Sequence, residues 1–371
     1  MWTPLRSSKA VSGFMTKFRN FSSVRGFQVN PNVNSKQIRK NPSAVGEELG
    51  KLVNQVKKSD DPNELQMFII PEFALNRSEG FEDVMVSNAS NAISLPNFCK
   101  VGEAAARNCR KNVLMILPGA IHYGMGGDEV YGVGGAMAIL SGKPTLFAFQ
   151  GKEAYVENDK WPEGIDVQYS EGLGTLSVPN RNENGDGKST NALSVTCKDV
   201  VSAVESIVGS DVSAILCAGW GTPVSQVSGR ELGDRRVYVA DGQWRPEDSY
   251  FRSGSYSYKP SDALGEGEWE REAPAAAPVA QNKGGSAIYD LGRHALPPTD
   301  ENSRPTLKLQ WKRTAREAIE QAFPSLANAR SAESGFRKAA KKSSIGSPTP
   351  DWGIELPIRT AKGSKRSGRG G

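Results

Sequence analysis

The 371-residue chain predicts a layered α/β architecture, and two observations carry that expectation. Over the first 220 residues, short apolar runs of strand length mix with segments whose apolar residues recur at helical spacing, and some of the runs fall close enough together for hairpins. No run approaches the roughly 20 apolar residues needed to span a bilayer. The longest, Val113 to Ile121, is interrupted by Pro118 and Gly119. A chain of this length can bury one large core, with residues left over for tails or a small second unit.

Taken in order, residues 1–23 are basic and Ser-rich with scattered Phe and Met, and read as a flexible leader. They lack the continuous apolar segment of a secretory signal. A transit peptide, the leader of an exported effector and plain disorder all remain open. Arg25-Gly26-Phe27-Gln28-Val29 reads as the first strand, closed by Asn30-Pro31. Val45 to Val56 has Leu49, Leu52 and Val56 on one helical face, and Asp60-Asp61-Pro62 breaks the chain after it. Gln66-Met67-Phe68-Ile69-Ile70 is the next strand. Phe98 to Cys109 is an Ala- and Glu-rich helix leading into the strand Val113 to Leu117.

Gly135 to Leu140 and Thr145 to Phe149 form a hairpin around Ser141-Gly142-Lys143-Pro144. Asn180 to Asn191 is a polar loop. Ala192 to Thr196 is a strand, Asp199 to Val208 a helix, and Ser213 to Cys217 a strand again. Later come strands at Val237–Ala240, Gly285–Asp290 and Thr306–Leu309. Between the first two of these, residues 243–283 are rich in Ser, Tyr, Glu, Ala and Pro and read as an inserted loop. Thr314 with Glu317 three residues on is a capping-box pattern opening a helix over 314–330. Residues 331–371 read as a second flexible, basic tail.

Charge follows this division. Residues 1–46 hold eight Lys or Arg and no acid, and residues 331–371 hold nine against three. The total of +5 leaves the intervening residues at −9. The basic balance therefore belongs to the tails, where it suits solvated ends or contact with an acidic partner; as a signal of nucleic-acid binding it is weak. Four Cys and two His, with Cys99 and Cys109 ten residues apart on one helix, do not make a zinc site or a natural disulfide pair. Reduced thiols suit a cytoplasmic protein.

Three residues stand at the ends of strand-like runs. Glu72 follows Phe68-Ile69-Ile70-Pro71, Lys152 follows Ala148-Phe149-Gln150-Gly151, and Cys197 follows Val195-Thr196 and precedes a helix. A thiol at a strand-to-helix junction meets the positive end of the helix dipole, which lowers its pKa, and free amides that can hold an oxyanion. Taken singly, each has a plainer alternative: a buried structural Cys, an exposed acid at a strand end, a surface Lys after a hairpin.

Together the segments resemble the nitrilase (carbon–nitrogen hydrolase) superfamily. Phe68-Ile69-Ile70-Pro71-Glu72-Phe73 is similar to its Pro-Glu-aromatic general-base motif, and Gly151-Lys152 falls where the family has its lysine. Val195-Thr196-Cys197-Lys198-Asp199 resembles the nucleophile motif, with an acid two places after the cysteine. The separations, 80 residues from Glu72 to Lys152 and 45 from Lys152 to Cys197, suit the family, and Glu171 matches its second, structural glutamate. Phe27 to Pro31, Leu117 to Ala120, Ala218-Gly219-Trp220 and Gly285 to Asp290 agree with it as well, so the resemblance covers residues 24–313. Lys198 directly after the cysteine, the 243–283 segment and the tails depart from the family pattern.

The resemblance implies a four-layer αββα sandwich and an amidase-like hydrolase acting on a small-molecule amide, carbamoyl compound or nitrile, with no metal or organic cofactor and with a homo-oligomeric assembly. Cys197 is the implied nucleophile and Glu72 the base. Lys152 and the Lys198 amide would hold the oxyanion, and Glu171 would orient Lys152. Gly219 and Trp220 would line the pocket. His122 is a further candidate for the pocket, with a hydrogen-bonded structural histidine as the alternative. A competing reading is a non-catalytic interaction or effector protein on a decayed hydrolase fold, working through its tails. Limited trypsin digestion is expected to trim residues 1–20 and 335–371 and leave a stable core, because neither end has the apolar periodicity to offset its ordering entropy. Equal resistance along the whole chain, read by mass spectrometry, would contradict that division.

Overall fold

A strand that is apolar at every position, and not only at alternate ones, must be covered on both faces. Glu64–Ile69 and Val212–Gly219 come close to this and are buried along their whole length, with Glu64, Gln66 and Ser213 as the polar interruptions. The computed structural model describes residues 21–76, 93–124, 130–142, 145–153, 165–168, 174–178, 190–222, 224, 227–243, 253–261, 267–296 and 308–322. Residues 1–20 of the leader, residues 323–330 of the expected C-terminal helix and the tail 331–371 lie outside them.

In chain order the strands are β1 (Ser23–Asn30), β2 (Glu64–Ile69), β3 (Ile93–Ser94), β4 (Val113–Gly124), β5 (Val130–Leu140), β6 (Leu146–Gly151), β7 (Ile165–Gln168) and β8 (Thr175–Val178). They continue with β9 (Thr190–Thr196), β10 (Val212–Gly219), β11 (Arg236–Asp241), β12 (Gly254–Lys259), β13 (Glu268–Glu272), β14 (Ala280–Gln281), β15 (Ala287–Ala295) and β16 (Lys308–Leu309). The helices are α1 (Ser35–Lys40), α2 (Pro42–Gln55), α3 (Leu95–Asn108), α4 (Asp199–Ser206), α5 (Gly229–Leu232) and α6 (Ala315–Ala322). Among the described residues the fold is thus mixed α/β, with two large sheets and few helices.

The helix starts follow local chemistry. Asn34 and Gln37 form a capping box on α1, Asn41 caps α2 ahead of Pro42, and Ser94 caps α3. The capping box expected at Thr314 is present. The Glu317 amide donates to the Thr314 hydroxyl at 3.1 Å, and the Thr314 amide to the Glu317 carboxylate at 3.3 Å.

The first sheet runs β14-β15-β1-β2-β4-β5-β6, with β3 beside β4 and β7 beside β5. The second runs β13-β12-β11-β10-β9-β8-β16. Three apolar clusters follow from this stacking. One joins the first sheet to α2, α3 and α6 and includes Phe68, Phe98, Leu52 and Ile319. A second lies between the sheets, where Met67 and Ile69 of β2 meet Leu216 and Ala218 of β10. The third sets Val195 and Ile215 of the second sheet against Val200 and Val204 of α4. Within one strand the alternation is explicit, since Met67 belongs to the inter-sheet layer and Phe68 to the helix side.

Strand direction determines where the sequence's candidate residues meet. β4 is parallel to β2, β5 antiparallel to β4 and β6 antiparallel to β5, so β2 and β6 point the same way. β9, β10 and β11 are mutually parallel. Glu72 and Lys152 therefore share one end of the first sheet, and Cys197 and Trp220 share one end of the second.

The 243–283 segment departs from the loop expected for it. Its described part contributes β12, β13 and β14, with β12 paired to β11 and β14 to β15. The alternation in Ser255-Tyr256-Ser257-Tyr258 and in Glu268-Trp269-Glu270-Arg271-Glu272 is strand-like, and Trp269 meets both Tyr256 and Tyr258 edge-on. A reading weighted to the Ser, Glu and Pro content passed over that period.

Phe68 is fully buried and stacks on Phe27 at 4.7 Å between ring centroids. Phe68→Ala is expected to destabilise the fold by about 3–5 kcal/mol, seen as a lower urea midpoint. A shift under about 0.5 kcal/mol, the range of surface changes, would contradict this account of the core.

Candidate active site

Short polar segments leave the carboxyl ends of buried strands here, so their side chains are delivered into a largely water-free space. Glu72 sits three residues past β2, and Lys152 directly follows β6. Lys152 Nζ donates to Glu72 Oε1 at 2.9 Å, with the residues only 1% and 4% exposed. The Lys152 amide donates to the Gly134 carbonyl at 2.9 Å, which fixes the chain at the end of the hairpin. The ammonium also lies 6.0 Å from the centroid of the Phe73 ring, a cation–π distance.

Cys197 directly follows β9 and is 5% exposed. Its amide donates to the Ala218 carbonyl at 2.9 Å, which ties it to β10, and its thiol donates to the Trp220 carbonyl at 3.7 Å. Three non-glycine residues have left-handed backbone among the described residues, and two of them are Phe73 (φ 56°), next to Glu72, and Cys197 itself (φ 51°). Strained backbone held by its surroundings collects at functional sites.

The thiol's electrostatics differ from the expectation drawn from the helix start. Burial, and after it the Glu72 charge, push the Cys197 pKa up to about 12, with the Lys152 ammonium working against both. The dipole of an eight-residue helix does not outweigh desolvation and an adjacent carboxylate. The resting nucleophile candidate is a neutral thiol within the electrostatic influence of a carboxylate.

Two acids hold the frame. Asp199, fully buried in the first turn of α4, accepts the Glu153 amide at 3.0 Å and so links the chain after Lys152 to the chain after Cys197. Asp241, at the end of β11 and also fully buried, accepts the amides of Gly221 at 3.0 Å, Thr222 at 3.1 Å and Gln243 at 2.9 Å. That carboxylate shapes the turn carrying Trp220. In the sequence Asp199 stands out only as part of the nucleophile motif, and Asp241 does not stand out as a functional residue. An acid closing the apolar run Val237-Tyr238-Val239-Ala240 was the available signal.

The remaining candidates are placed as follows. A Cβ on Gly219 would come within 1.9 Å of Thr222 Oγ1, so only glycine admits this tight turn. Trp220 is half-buried, with its indole over Gly242 and close to Pro71, so it borders the Glu72 segment. The Lys198 side chain is exposed. His122 lies on β4, paired with Gly132 and Ser94 in the stretch that runs on past β2. Glu171 lies outside the described residues. The structure therefore brings Glu72, Lys152, Cys197, Gly219 and Trp220 to one end of the two sheets.

No protein-family model matches the chain, and no curated protein matches it in sequence. Among solved structures it is similar to a Glu→Gln, Cys→Ala double mutant of the amidase from Nesterenkonia sp. AN1 in complex with acrylamide. The identity is 12%, over 73% of this chain and 91% of that one, with a TM-score of 0.42. It is also similar to a Glu→Gln mutant of the same amidase, which shows covalent addition of the acetamide moiety of fluoroacetamide at the active-site cysteine. There the identity is 12%, over 74% and 92% of the two chains, with a TM-score of 0.37.

The neutral thiol makes a kinetic prediction. Cys197 alkylation by iodoacetamide at pH 7.5 should be on the order of 10²-fold slower than that of free cysteine, after allowing for the greater nucleophilicity of a high-pKa thiolate. The rate should rise tenfold per pH unit through pH 9. Glu72→Gln removes a charge that disfavours the thiolate, so it should lower the pKa and speed alkylation. A rate independent of pH between 7 and 9 would mean that the thiolate is already formed.

Proposed function

We propose that this chain is an amidase-like hydrolase that cleaves a non-peptide carbon–nitrogen bond through a Cys197 thioester, on a four-layer αββα frame of the nitrilase type. The observation carrying this reading is the buried Lys152–Glu72 ion pair at 2.9 Å beside a thiol whose ionisation both residues influence. The three apolar clusters, helix against sheet, sheet against sheet and sheet against helix, support the frame.

The chemistry starts from the neutral thiol. Glu72 takes the Cys197 proton as the sulfur attacks the carbonyl carbon, and the C=O electron pair moves to oxygen. The Lys152 ammonium and the Lys198 amide stabilise that oxyanion. As the C–N bond breaks, protonated Glu72 gives its proton to the departing ammonia or amine, leaving a thioester. Water then gives a proton to Glu72 and attacks the thioester, and the acid is released with the thiol restored. Lys152 has a second role here. Without its positive charge, Glu72 and a thiolate would repel one another at close range. Glu171 is proposed to orient Lys152, with Gly219, Trp220 and His122 lining the substrate pocket. The substrate class is simple amides, with carbamoyl compounds and nitriles as variants of the same attack. No step needs a metal or organic cofactor, and a homo-oligomer in the cytoplasm is the proposed setting.

Ammonia release from a panel of amides, N-carbamoyl compounds and nitriles tests the proposal. On the substrate so found, Cys197→Ala should lose on the order of 10⁴-fold or more in kcat with the fold retained. Glu72→Gln should lose about 10²–10⁴-fold. Lys152→Arg should lose about 10²–10³-fold, because a planar guanidinium does not replace a compact ammonium aimed at one oxygen. Glu171→Gln should lose less, about 10²-fold. Wild-type turnover by Cys197→Ala, or a folded protein inert to the whole panel, would overturn the proposal.

A further inference from the structure

Besides the Tyr238 hydroxyl, the inter-sheet layer has, at its upper end, three side-chain atoms with no hydrogen-bond partner among the described residues. These are Gln150 Nε2, Ser194 Oγ and Thr196 Oγ1. Their residues are at most 4% exposed, so bulk solvent does not satisfy them. Ser194 and Thr196 stand two apart on β9, alternating with Leu193 and Val195, which both turn toward α4. They therefore share the opposite, inter-sheet face with Ala192.

Gln150 reaches that level from the other sheet. Its Oε1 accepts the Gly174 amide at 3.2 Å, and this contact fixes which amide atom is the oxygen, since a backbone N–H needs an acceptor. Thr175 is paired with Leu193 in the antiparallel β8–β9 ladder, so Gly174 falls at the level of Ser194. The free Nε2 of Gln150 is thus carried to the same level as the two hydroxyls. Alanines surround the place. Ala136 and Ala138 of β5, Ala148 of β6 and Ala192 of β9 all belong to the inter-sheet layer. Ala136 is paired with Gln150 itself. Small side chains beside unmet donors and acceptors make the polar setting in which an internal water is held.

We infer that the inter-sheet space beneath Lys152 and Cys197 is a binding site for internal water, held by Gln150 Nε2, Ser194 Oγ and Thr196 Oγ1. The water accepts from the amide N–H of Gln150 and donates to the two hydroxyl oxygens. It bridges β6 two residues short of Lys152 to β9 one residue short of Cys197. The inference does not depend on the hydrolase reading, because it concerns the folded protein without substrate.

The experiment is a count of long-lived internal waters by ¹⁷O magnetic relaxation dispersion on the full chain, for wild type, Thr196→Val and the Ser194→Ala/Thr196→Val double variant. The double variant should lose at least one long-lived water. Thr196→Val, nearly isosteric, should lower Tm by about 2–4 °C, because it removes a hydrogen-bond partner of the bound water. In a dry site the same change deletes an unsatisfied hydroxyl and raises Tm. An unchanged water count in the double variant would overturn the inference, and so would a raised Tm in Thr196→Val. Should Thr196→Val not fold, Ser194→Ala alone is measured against the same two outcomes.

Discussion

The Lys152–Glu72 ion pair is the constraint on which this end of the molecule depends. Two charges so deeply buried (2.9 Å apart) have lost their water, and neither tolerates loss of the other. Breaking such a pair by removing one partner is destabilising by about 3–5 kcal/mol, because the survivor is left uncompensated. The pair requires β2 and β6 to end at the same level although two strands lie between them. It also accounts for the neighbouring thiol, since the net field at Cys197 is that of a carboxylate partly offset by an ammonium, in a site too dry for a free thiolate. A protein that only needed packing would have filled this place with apolar side chains at no loss of stability.

Around the pair, the two sheets are joined by side chains that meet backbone. Gln28 of β1 donates to the Asp241 carbonyl at 3.1 Å, Gln150 of β6 accepts from Gly174, and Asp199 accepts from Glu153. Each contact crosses from one sheet, or a segment flanking one of its strands, to the other. The positions of the ammonium and the thiol are thereby set by the stacking of the sheets and not by loops alone. That rigidity is what an attack geometry held to fractions of an ångström requires.

Much of this was legible in the sequence, and the reason is local. The runs before Glu72, Lys152 and Cys197 are mostly apolar because both faces are covered, with Gln66, Gln150, Ser194 and Thr196 as the exceptions, and their ends are marked by the polar residue that follows. What escaped reading depends on distant partners. Asp241 looks like a surface acid at a strand end until its three amide donors are placed around it. Gln28 and Gln150 look like ordinary polar interruptions, although each reaches the other sheet. β12 and β13 were hidden by a Ser- and Glu-rich composition, and their Tyr256, Tyr258 and Trp269 contacts exist only once the strands pair. The lowered thiol pKa expected from the helix start failed because burial and Glu72, both products of tertiary structure, act on the same atom.

The account stands or falls on a covalent intermediate at Cys197, and hydroxylamine partitioning tests it most directly. A primary amide and its N-methyl counterpart, sharing one acyl group, are turned over in the presence of hydroxylamine, and the ratio of hydroxamate to acid is measured. A common Cys197 thioester predicts the same ratio from both substrates, whatever their relative rates, because the leaving group has departed before partitioning occurs. A ratio that changes with the leaving group would show direct attack of water on the amide and contradict the central role assigned to the thiol.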